Sequence, residues 1–119
     1  MKGPTAQERR RLKRRNISYY LPILDNNTRK VIGHLVDISP NGLLMDSRIS
    51  IQPNLQYDLH LEFMELVAGK AFLDFIARSK WCRSDSILPD SFNAGFEITY
   101  IAPEDIEVLK SIAEKYGAH

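Results

Sequence analysis

Two short stretches of this 119-residue chain carry residue types that could hold a charged, planar ligand. The first is the start, where Lys2, Arg9, Arg10, Arg11, Lys13, Arg14 and Arg15 stand beside a single acid, Glu8. Guanidinium forks grip phosphate, and also the O6/N7 edge of guanine, through paired hydrogen bonds. Arginines recur there at a spacing of four, as Arg10/Arg14 and as Arg11/Arg15. The second stretch is Asp37-Ile38-Ser39-Pro40-Asn41-Gly42. The two oxygens of Asp37 match the N1–H and N2–H₂ edge of guanine, and the hydroxyl of Ser39 can bond a phosphate oxygen. Gly42, without a side chain, lets a flat ligand come close to the backbone. Together these types suit a ligand that carries both guanine and phosphate. The same six residues also read as a plain turn, because Asp and Ser bond nearby backbone and Gly tolerates positive φ.

Other chemistry finds little support. His34, His60 and His119 are scattered, with no spacing that suggests a metal, and His34 and His60 read as polar residues on solvent faces of strands. No G-x-S-x-G elbow or glycine-rich phosphate loop occurs. The one cysteine, Cys82, has no companion for a redox or metal motif; beside Trp81 it reads as a buried thiol. A lone cysteine also fits a reducing cytoplasm. The expectation is a binding module rather than an enzyme, with no metal and no cofactor. No apolar run nears the roughly 20 residues of a membrane span. The basic start has no apolar segment behind it, so a secretory signal is not expected.

These side chains need a scaffold. With 44% hydrophobic and 26% charged residues, the chain has the make-up of a globular domain. Charge divides it: residues 1–15 carry a net +6, while the remainder has nine basic and fourteen acidic residues, a net −5. We therefore expect a flexible basic arm over residues 1–15 and one domain over residues 16–119. Strand signals dominate after the arm. Residues 18–24 are aromatic and branched, and Pro22 suggests an edge strand or a bulge. Residues 25–29 form a turn, and residues 30–38 return as a hairpin partner. Residues 42–46 make a short strand. In residues 57–63, Tyr57, Leu59, Leu61 and Phe63 alternate with polar neighbours. In residues 71–83, Phe72, Asp74, Ile76, Arg78 and Lys80 oppose Leu73, Phe75, Ala77 and Trp81. In residues 92–101, Phe92, Ala94, Phe96, Ile98 and Tyr100 share a face. The period then changes: Ile106, Leu109, Ile112, Ala113 and Tyr116 fall at helical spacing, after Pro103 and before Gly117. The pattern predicts a mainly β fold, six antiparallel strands closed into a small barrel with a C-terminal helix packed on it.

At this point the sequence resembles a known family. Asp37-x-Ser39-x-x-Gly42 is similar to the D/N-x-S-x-x-G motif of PilZ domains, whose other motif is R-x-x-x-R some twenty residues earlier. The resemblance continues through "RSKWCR", like the family's late strand ending near a tryptophan. It extends into "NAGFEITYIAPEDIEVL", like the closing G-x-x-F strand and its helix. It implies a six-stranded PilZ-type barrel that binds the bacterial second messenger cyclic di-GMP. It further implies that Asp37, Ser39 and Gly42 form one wall of the site. The grip would come from Arg10/Arg14 or from Arg11/Arg15. Trp81 would either stack on a guanine or sit at the core or rim.

The arrangement suggests an ordering switch: the dinucleotide bridges arm and wall, and the arm changes the surface shown to a downstream effector protein. Two other readings use the same features. One is a degenerate member of the family that docks on a protein without nucleotide, motivated by Ser18, where some members place the second arginine. The other is a nucleic-acid binder that uses the arm. That reading is disfavoured, because few aromatic residues lie near the arm for stacking.

Overall fold

The computed structural model describes residues 21–116. The arginine arm, Ser18, Gly117 and His119 lie outside the described residues. Six strands follow in order: β1 (Pro22–Asp25), β2 (Val31–Ser39), β3 (Gly42–Ser47), β4 (Gln56–Val67), β5 (Lys70–Ser84) and β6 (Phe92–Ile101). A 3-10 turn, Pro103–Asp105, leads into helix α1, Ile106–Tyr116. All pairings are antiparallel, and the sheet closes as β1-β2-β3-β6-β5-β4.

Closure follows from alternation. Ile23, Met45, Leu59, Leu61, Leu73, Phe75, Ala77, Ala94 and Phe96 point inward and are buried. Each large apolar side chain removed from water contributes about 1.5–3 kcal/mol. Helix α1 adds Val108, Leu109, Ile112 and Tyr116 to the same core. Acidic residues Glu104, Asp105 and Glu107 sit at its start and Lys115 in its last turn, as the helix dipole favours. Val108 takes the core position expected of Ile106, which is 40% exposed, because the first turn is 3-10 and rotates the face.

Other departures have local causes. Pro22 lies on no edge, since β1 pairs on both sides. It opens the strand, where no amide is needed for the β4 ladder that starts at Ile23, and a register shift follows at Ile23/Leu24. Tyr100 is exposed because Ile76 pairs with Tyr100 and Ala77 with Ile98; Thr99 is the extra residue of a bulge that turns Tyr100 outward. His60 does lie on the outer face, yet it is buried. Its Nδ1 is 2.7 Å from Asp74 Oδ1, and its ring stacks under Phe72 at 4.8 Å. Cys82 is half-buried against the core, and Ile51 N donates to its Sγ at 3.4 Å.

Candidate functional site

The site lies on the outer face of four neighbouring strands, β2, β3, β6 and β5. Two bulges build it. In β2, Leu35 pairs with Met45 and Asp37 with Leu44, so Val36 is the extra residue. In β5, Ser79 pairs with Phe96 and Trp81 with Gly95, so Lys80 is the extra residue. A bulge shifts the parity of every residue beyond it, and this one moves Trp81 from the inward face of Ser79 to the outside. Gly95 in turn pairs across β3 with Leu44. The result is a transverse row, Asp37, Leu44, Gly95 and Trp81, across four strands. Three strand spacings separate its ends, about 14 Å. The next row toward the β2–β3 turn holds Ser39, Gly42 and Glu97.

These two rows line one surface groove of about 420 Å³, with Asp37, Ser39, Gly42, Lys80, Trp81 and Glu97 among its walls. The three residues of the turn motif thus share a groove. Asp37 is half-buried and accepts from the amide of Ile38 at 2.9 Å, which fixes the orientation of its carboxylate. Ser39 is exposed and, among the described residues, is held only by contacts of 3.4 Å to Asn41 N and Gly42 O, at the long limit of hydrogen bonding. Its hydroxyl can therefore turn to a ligand at little cost. Pro40 and Asn41 form the two-residue turn, and neither has positive φ. Gly42 also keeps negative φ. A Cβ there would sit 2.5 Å from the carbonyl oxygen of Phe96, so Gly42 is required by the close approach of β3 and β6.

Trp81 is the residue whose placement the sequence left open. The structure puts it in the wall and not in the core. Its indole packs against Gly95: a Cβ at that position would fall 2.5 Å from Cε2 and Nε1 and 2.8 Å from Cζ2. The guanidinium of Arg83 rests 4.6 Å from the centre of the ring. Lys80 and Glu97 pair loosely across the groove at 3.8 Å, both about half exposed. Lys80 and Glu97 were not among the expected site residues. The signal for them is the groove-facing register that follows from the Lys80 bulge. Arg10, Arg11, Arg14 and Arg15 lie outside the described residues. Chemically, the groove offers a fixed carboxylate, a loosely held hydroxyl, a mobile ammonium and an aromatic plane. Such a set can bind a planar heterocycle with an anionic group. Among the described residues, no cluster of His, Cys, Asp and Glu could hold a metal, and no helix is long and apolar enough to cross a membrane.

A closed six-stranded barrel with a terminal helix and a groove on its outer face defines a small barrel domain. The family model described as PilZ domain matches residues 8–115, and the chain belongs to that family. It is similar in fold to the solved "PilZ domain with c-di-GMP of YcgR" from Escherichia coli, with a TM-score of 0.62 and 13% identity over 82% of this chain and 80% of that one. It is also similar to the Bacillus subtilis inhibitor of motility MotI/DgrA, with a TM-score of 0.61 and 16% identity. That match covers 81% of this chain but 45% of MotI/DgrA. No curated protein matches the sequence.

Proposed function

We propose that the protein is a non-enzymatic receptor for cyclic di-GMP, bound between the outer-face groove and the arginine arm. The observation that carries this is the row Asp37, Leu44, Gly95 and Trp81, which sets a carboxylate and an aromatic plane on one groove that also holds Ser39. The family membership and the cyclic di-GMP in the YcgR neighbour support the choice of ligand.

In this reading a guanine stacks on the indole of Trp81, a contact worth about 1–3 kcal/mol. Asp37 accepts from a guanine N1–H and N2–H₂ edge, as charge-assisted bonds worth about 1.5–3 kcal/mol. Ser39 and Lys80 meet phosphate oxygens. Arg10 and Arg14, or Arg11 and Arg15, close over guanine and phosphate from the other side. Residues 1–15 then act as a basic arm on the domain formed by residues 16–119. The positive arm and the net negative remainder favour closure, and two phosphates reduce the arm's self-repulsion. Ordering the arm changes the surface presented to an effector protein in the cytoplasm.

Calorimetric titration of the full chain with cyclic di-GMP tests the proposal. Saturable binding that weakens in Asp37→Ala and in both double arginine-to-alanine variants supports it. A flat titration, together with retention of a protein partner, favours a family member that docks without nucleotide.

A further inference from the structure

We infer that Arg83 is a second stacking element of the groove, which rises from Trp81 to close over a purine base seated on the indole. The inference rests on the nucleotide reading above and concerns how the base is held. Trp81 packs against Gly95, where an added Cβ would fall 2.5–2.8 Å from Cε2, Nε1 and Cζ2 of the indole. A base can stack on the part of the ring turned away from Gly95. The Arg83 guanidinium lies over the ring at 4.6 Å from its centre, so a base that stacks beneath it must lift it. The two residues stand two apart on β5, beyond the Lys80 bulge, with Trp81 opposite Gly95 and Arg83 opposite Asn93 on the same side of the sheet.

Arg83 is weakly held. It is exposed and makes no ion pair among the described residues. Aromatic planes stack at about 3.5–4 Å, so a base inserted under the guanidinium lifts it to roughly 7–8 Å from the indole. A rise of about 3 Å is within the reach of a side chain with four rotatable bonds. Guanidinium planes stack on bases as they do on indole. Arg83 thus exchanges an exposed contact with Trp81 for a contact with the base in a drier site, next to the phosphates. A cation over an aromatic face gains strength as water is excluded. The favoured ligand is a purine nucleotide, whose large face spans both planes and whose phosphate adds attraction to the cation.

The chain has a single tryptophan, so its fluorescence reports on Trp81 alone. Cyclic di-GMP titrated into the wild-type chain, followed by fluorescence and by calorimetry, should quench the signal and give matching midpoints. Arg83→Ala should bind about five- to tenfold more weakly, from the difference between a desolvated and an exposed cation–aromatic contact. Arg83→Lys keeps the charge but loses the plane, and should lose at least threefold, which a role in charge attraction alone would not produce. Thermal melts of both variants should match the wild type, because Arg83 is exposed. If Arg83→Ala binds more tightly, Arg83 is a plug and the inference is overturned. If the wild type binds and both variants bind equally well, the stacking role is overturned while the receptor reading stands. A flat wild-type titration refutes both.

Discussion

Replacing Gly95 with alanine tests how the groove is built. The new methyl would sit 2.5 Å from Cε2 and Nε1 of Trp81 and 2.8 Å from Cζ2. Non-bonded carbon atoms prefer about 3.5–4.0 Å, so the ring must retreat by roughly 1 Å or tilt off the strand. Overpacking in a closed core costs about 1–3 kcal/mol. Here the indole is half-buried with the exposed Arg83 over it, so the cost belongs at the low end, about 1 kcal/mol. In a domain of this size that lowers Tm by about 4–8 °C. The effect on binding should be larger than the effect on folding. A displaced indole forfeits a stacking contact of about 1–3 kcal/mol, which is roughly 5- to 150-fold in affinity for cyclic di-GMP. Thermal denaturation followed by circular dichroism gives the first number and calorimetry the second. An alanine variant that binds as tightly as the wild type, with an unshifted tryptophan emission spectrum, would refute the account of Trp81 as a plane held in place by Gly95.

Asp37→Asn should weaken cyclic di-GMP binding about 10- to 100-fold by replacing one acceptor oxygen with a donor, read by calorimetry. Ser79→Ala should cost about 1–3 kcal/mol of stability in urea denaturation, because the fully buried Ser79 hydroxyl donates to the Gln52 carbonyl at 2.6 Å and accepts from the Leu55 amide at 3.1 Å. Its ligand affinity, measured well below the melting temperature, should stay unchanged. Burial first, and then the nearby Asp25 carboxylate, raise the pKa of Tyr57 above its usual 10.0. A raised folded-state pKa means stability is intact below about pH 10 and falls as pH climbs through the folded value. Tyr57→Phe should flatten that alkaline decline in denaturation midpoints measured from pH 8 to 11. An unchanged decline would assign it to other groups.

Much of this architecture is legible in the sequence because its causes are local. Strand alternation in Tyr57 to Phe63 and the helical period of Leu109, Ile112 and Tyr116 report buried faces directly. The turn residues of 37–42 mark a hairpin by their own chemistry. What stays hidden depends on register. Bulges at Val36, Lys80 and Thr99 decide which way Asp37, Trp81 and Tyr100 point, and each is a one-residue choice made between strands far apart in sequence. Gly95 is the local trace of one such choice, since a glycine inside a strand marks a close approach, here that of the Trp81 ring. The burial of His60 likewise arises from Asp74 and Phe72 on the neighbouring strand, which no pattern along β4 contains.

One groove on the barrel, in the proposed function, binds a guanine dinucleotide with help from the arm. The most direct test is a calorimetric titration of the full chain with cyclic di-GMP, repeated in Asp37→Ala and in the variant with Arg10, Arg11, Arg14 and Arg15 all replaced by alanine. Saturable binding by the wild type and at least a tenfold loss in each variant are expected. Binding that survives both changes would contradict it.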